Sequence, residues 1–177
     1  MRISVPVQDA QPFTKVSPKH RRQLVSTLLV HIRGALARGP HSVAELLVGL
    51  SPQEAGALAH VVQIMIDAGE TVTMGHGVYT AVPWTPTNRR VETDPVQDLV
   101  LSAIALIRPP TAERIALWLA LPRRTVSTAL NTAEAYGIII YNSKNTHYRF
   151  ASAEIAKLYR GGAAGRVFAD VSPKPLD

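Results

Sequence analysis

The 177-residue sequence contains no cysteine. Disulfides, thiolate nucleophiles and zinc-finger ligand sets are excluded together, which suits a reducing, cytoplasmic compartment. No window approaches the roughly eighteen consecutive apolar residues of a membrane-spanning helix, and MRISVPVQDAQPFTK at the N-terminus has no apolar run before a small-residue cleavage site. A soluble protein without signal peptide or membrane anchor is therefore expected. His20, His31, His41, His60, His76 and His147 make no i,i+4 pair and no His-Glu-x-x-His motif, so no metal site is expected. GGAAGR, from Gly161, lacks the lysine and hydroxyl of a phosphate-binding loop and follows no evident strand. No serine sits in a nucleophile elbow, and the 13 acidic residues are scattered without a pair to choose. The expectation is a protein that is not an enzyme and carries no cofactor.

What is present is a recurring order of elements. Leu24, Val25, Leu28, Leu29, Ile32, Ala35 and Leu36 recur at three- and four-residue spacing, one face of a helix ending near Gly39-Pro40. Ser42 with Glu45, and Ser51 with Glu54, are capping boxes opening a short helix and a longer one that runs to Gly69. ETVTMGHGVYTAV then reads as two strands around a Gly75-His76-Gly77 turn. After PWTPTNRRVET the order restarts. Asp94 caps a helix through Val96, Leu99, Val100, Ala103, Ile104 and Ile107, and Thr111 caps a short one bearing Ile115, Ala116 and Leu119. A third starts at Pro122, with Val126, Ala129, Leu130 and Ala133 on one face, and stops at Gly137 before the hairpin IIIYNSKNTHYRF. Tyr79, Tyr136, Tyr141 and Tyr148 read as core or wing packing, as do Trp84 and Trp118. The fold class is mainly α with small β-hairpins, in two tandem units. Residues 1–19 form an arm, 20–82 the first unit, 83–93 a linker, 94–150 the second unit, and 151–177 a short helix with a flexible tail.

Three helices followed by a two-stranded wing, twice over, resemble the winged helix-turn-helix superfamily. The resemblance rests on element order and turn signals, and it implies double-stranded DNA as partner.

The distribution of charge says where. Lys and Arg outnumber Asp and Glu by 19 to 13, a net charge of +6 that permits an anionic partner. If Val126, Ala129, Leu130 and Ala133 face the core, Arg124, Ser127, Thr128 and Asn131 face outward, and these side-chain types can read base edges in a major groove. Arg123 in the first turn suits backbone phosphates, as do Lys144 and Arg149 in a wing that also carries Asn142, Ser143, Asn145 and His147. Residues 39–88, in contrast, hold no Lys or Arg but do hold Glu45, Glu54, Asp67 and Glu70. The first unit's basic residues sit in its arm and first helix: Lys15, Lys19, Arg21, Arg22, Arg33 and Arg38. Two assignments follow. In one, the arm tracks phosphates through Lys19, Arg21 and Arg22 while the third helix braces the fold. In the other, that helix and its wing form a protein contact, such as a homodimer surface, because Ala55, Gly56, Ala57 and Ala59 permit close approach of another element. The reading favoured is a sequence-specific DNA-binding transcriptional regulator. The alternatives are a protein-interaction or chromosome-organisation subunit, and a plasmid or phage replication or partition initiator.

Overall fold

The computed structural model describes residues 11–75, 77–81 and 94–160; His76, the linker 83–93 with Trp84, and the GGAAGR tail lie outside them. A 3-10 turn at Phe13–Lys15 leads into α1 (Pro18–Leu36), so regular structure begins inside the stretch read as an arm. Then follow β1 (His41–Ser42), α2 (Val43–Leu46), α3 (Pro52–Asp67) and the hairpin β2 (Thr71–Gly75) and β3 (Val78–Ala81). The second half comprises α4 (Pro95–Leu106), α5 (Ala112–Trp118), α6 (Arg123–Ala135), the hairpin β4 (Ile139–Asn142) and β5 (His147–Phe150), and α7 (Ala153–Arg160). This is a mainly helical protein with two small antiparallel hairpins. The first hairpin gains a third strand that the sequence pattern does not announce: β1 pairs with β3, giving the order β1-β3-β2.

The boundaries follow local chemistry. Ser42 and Ser51 each accept from the amide three residues on, while Glu45 and Glu54 reach back to the Ser42 and Ser51 amides at 2.7 and 2.8 Å. Both boxes thus satisfy donors that helix geometry leaves unpaired. Asp94 accepts from the amides of Val96 and Gln97, and Thr111 from that of Arg114. At the other end, α3 and α6 finish alike. Gly69 and Gly137 adopt φ +72° and +70°, and the amides of Glu70 and Ile138 turn back to the carbonyls of Met65 and Ala133. A side chain is disfavoured at that left-handed position, and the reversed bond satisfies a terminal carbonyl. One expected boundary shifts: Pro122 precedes α6 as its cap residue instead of opening it, so Arg123 is the first helical residue.

A continuous hydrophobic cluster spans both halves. Its centre is α4, where every residue from Leu99 to Leu106 is buried, including Leu101, Ala105 and Leu106 on the side away from the expected apolar stripe. A helix apolar all round has to be enclosed. Here α2 and α3 of the first half and α5, α6, α7 and β5 of the second all pack on it. The first hairpin joins in: Tyr79 of β3, fully buried, donates its hydroxyl to the Asp98 carboxylate of α4. Burial, then the neighbouring Asp98 charge and hydrogen bond, push the Tyr79 phenol far above its ordinary value, so it remains a neutral donor.

Candidate nucleic-acid interface

Helix α3 occupies in the first half the place that α6 occupies in the second, and the two have different surroundings. On α3, Ala55 to Ala59, Val61, Val62 and Met65 are buried, because α1, α4, α5 and the Phe13–Lys15 turn all contact the helix. Gly56 marks the closest approach. A Cβ there would stand 2.2 Å from the carbonyl oxygen of Leu119 and 3.2 Å from that of Ala120, in the turn between α5 and α6. The small residues do receive another element, and it is the second half of the same chain. The face of α3 that the sequence offers to a homodimer is thereby occupied. Its exposed positions are His60, whose ring lies 5.3 Å from that of Phe13, Ile64, and Asp67, which accepts from Gln63.

Helix α6 buries Val126, Ala129, Leu130 and Ala133, the stripe that its spacing implies, and leaves the opposite face open. Arg123, Arg124, Thr128 and Asn131 are exposed and Ser127 is half-buried. The side chains of Arg123, Arg124 and Asn131 make no hydrogen bond or ion pair among the described residues. Pro122 supplies no side-chain cap, so the first-turn amides and both guanidiniums point positive charge at the same end. Thr128 is less free than its exposure suggests: its hydroxyl donates to the Arg124 carbonyl at 2.9 Å, as Thr132 does to Thr128, leaving a methyl and an acceptor to present.

The second hairpin turns through Ser143 to Thr146. The Lys144 amide donates to the Asn142 side chain at 3.1 Å, and Thr146 sits at φ +53°, a strained value for a β-branched residue. Lys144 is exposed at the tip. One step down from the pair that flanks the turn, the Tyr141 and Tyr148 rings meet at 5.1 Å, and at the base Phe150 stacks on Tyr159 of α7. Tyr136 departs from the packing role expected of it, being 77 % exposed at the C-terminus of α6. Ile140 and Tyr141 of β4 are also exposed, and Glu134 accepts from the Tyr141 amide at 3.4 Å. Burial first, then the Glu134 charge, raise the Tyr148 hydroxyl above its ordinary value.

In the first half the basic residues divide. Arg21 donates to the carbonyls of Thr14 and Val16 and lies over the Phe13 ring, tying the N-terminal segment to α1. Arg33 forms a two-pronged bond with Glu70, at 2.7 and 2.8 Å. Lys15, Lys19, Arg22 and Arg38 are exposed. The N-terminal segment also comes close to α6: Phe13 and Thr14 line the same 560 Å³ cleft as Leu121, Pro122 and Thr125. Arg149 takes a different neighbourhood, lining a second cleft with Arg108 and Arg160.

Among the described residues no helix is long and apolar enough to cross a membrane, and no group of His, Asp or Glu is placed to hold a metal ion. The sequence matches no protein-family model, and neither curated proteins nor solved structures yield a match.

Proposed function

We propose that the chain is a non-enzymatic, sequence-specific double-stranded DNA-binding protein of tandem winged-helix build, acting as a transcriptional regulator. One observation carries the reading: α6 keeps an open polar face on which the side chains of Arg123, Arg124 and Asn131 have no partner among the described residues, while Gly56 on α3 sits against the turn between α5 and α6. The Arg124 guanidinium can donate to both acceptors of a guanine edge, the Asn131 amide can donate to and accept from an adenine edge, and Ser127 and Thr128 sit between them. Arg123, at the uncapped helix start, and Lys144, at the wing tip, bind phosphates and fix the register. Lys19 and Arg22, in the first turns of α1, extend the phosphate track, following the Phe13–Thr14 stretch that borders the start of α6. Arg21 contributes by holding that segment in place.

Purified protein incubated with fragmented DNA of its own genome at near-physiological salt, with bound fragments sequenced, tests the proposal. The expected result is a sharp motif near a promoter that disappears in a folded Arg123→Ala, Arg124→Ala double variant. Motif clusters at an origin would instead indicate an initiator. Equal binding by the double variant would refute the assignment of α6.

A further inference from the structure

The cleft that takes Arg149 lies between the end of α4, β5 and α7. Its lining includes Arg108, His147, Arg149, Ser152 and Arg160 and, among the described residues, no carboxylate. We propose that this cleft binds a small molecule carrying a phosphate group, held by the guanidiniums of Arg108, Arg149 and Arg160.

The site is built around Arg108. Its Nη1 donates to the carbonyls of Ile104 and Ile107 at 3.0 and 2.8 Å, which fixes the planar group and leaves Nε and Nη2 for a ligand. A guanidinium fork held this way matches two oxygens of a phosphate. Arg108 is disfavoured as a cation by its partial burial and then by the neighbouring Arg160 charge, which together lower its pKa. A dianion in the cleft offsets both by pairing with the guanidiniums. His147 is oriented by its Nδ1, 3.2 Å from the Asn145 carbonyl, and its other ring nitrogen remains available.

Size separates the possible sources of the phosphate. The cleft encloses 440 Å³, within the roughly 300–1,000 Å³ of small-molecule pockets and far above the ~30 Å³ share of one water. It has room for an organic body behind the anionic group. No residue of α6 lines the cleft, so the proposal stands whether or not α6 reads DNA.

Nuclear magnetic resonance of the full chain tests this with pyrophosphate as probe, against sodium chloride at equal ionic strength. The expected result is saturable displacement of the Arg108 and Arg160 side-chain signals and of the amides of Ala151 to Ala153. Arg160→Gln and Arg149→Gln should each weaken the response roughly tenfold, while Arg123→Ala, Arg124→Ala should leave it unchanged. Arg108 also ties down the end of α4, so its substitution would disturb the fold, and the Arg160 and Arg149 variants decide the matter. A response equal to that of chloride, or one indifferent to both Gln substitutions, overturns the site. Cleft signals that move with a short DNA duplex and resist competition by pyrophosphate also overturn it, by assigning the phosphate to nucleic acid.

Discussion

Helices α3 and α6 begin after serine- or proline-marked turns, run for similar lengths and end in the same glycine-centred reversal, yet the first half of α3 is buried from Ala55 to Ala59 while α6 keeps an open face along its length. The difference lies in a few side chains. Ala55, Gly56 and Ala59 let the turn between α5 and α6 sit against α3, whereas Arg124, Thr128 and Asn131 hold solvent at the equivalent surface of α6. Repetition of a fold element does not repeat its use. What surrounds a helix decides whether its outer face is covered by the chain or left open.

The comparison breaks most sharply at α6. Arg123→Ala, Arg124→Ala should lower affinity for the cognate DNA by about a hundredfold, taking roughly 1–3 kcal/mol per lost contact. His60→Ala, Gln63→Ala on α3 should change it by less than about twofold, since those groups lie outside the proposed phosphate and base contacts. Both variants can be ranked in one fluorescence-anisotropy titration, and a larger loss from the α3 pair would reverse the assignment. Next comes the fit between the halves. Gly56→Val places a branched side chain where even a Cβ meets the Leu119 carbonyl, and should destabilise the protein by about 3 kcal/mol. Denaturant unfolding measures this, and a midpoint equal to the parent's would show that the turn does not rest on α3 in solution.

A smaller effect is expected from Tyr79→Phe, which removes a buried donor to the Asp98 carboxylate and should cost about 1.5 kcal/mol. Equal unfolding free energies would mean that the hydroxyl contributes nothing to joining β3 to α4. Smallest is the ion pair. The Arg33 hydrogen bond holds Glu70 below the usual carboxylate range. Its stabilisation is therefore present above the ordinary glutamate pKa of about 4.3 and fades as pH falls through the lowered value. Both groups are open to solvent, so thermal melts of Glu70→Gln should differ from the parent only slightly at neutral pH and low salt, with the gap closing in acid and in high salt. A gap that widens on acidification would contradict the pairing.

Much of this architecture was legible in the sequence, because it is set locally. Ser42, Ser51, Asp94 and Thr111 cap the helices the pattern assigns them, and the outward set on α6 follows from the spacing of Val126, Ala129, Leu130 and Ala133. What was not legible depends on contacts between distant segments. The enclosure of α4 was hinted at by Leu101, Ala105 and Leu106, which complete an apolar surface all round, but a single-stripe reading passes over them. The two-residue β1 is too short for any period and exists through its pairing with β3. Tyr136 follows Ala133 by three residues, which suggests burial, but it falls at the end of α6 where no neighbour covers it. The Arg108, Arg149 and Arg160 cleft draws on three separated elements, so no local motif marks it.

The enclosure of α4 also governs how the molecule can be divided. Cutting the chain at the linker between the hairpin of the first half and α4 would leave the second half with a strip of leucine, isoleucine and alanine facing water, and the first with Tyr79 lacking its acceptor. Neither fragment would be a finished folding unit. A repeat visible in the order of elements is thus merged, at the level of cooperativity, into a single body that gains or loses its structure together.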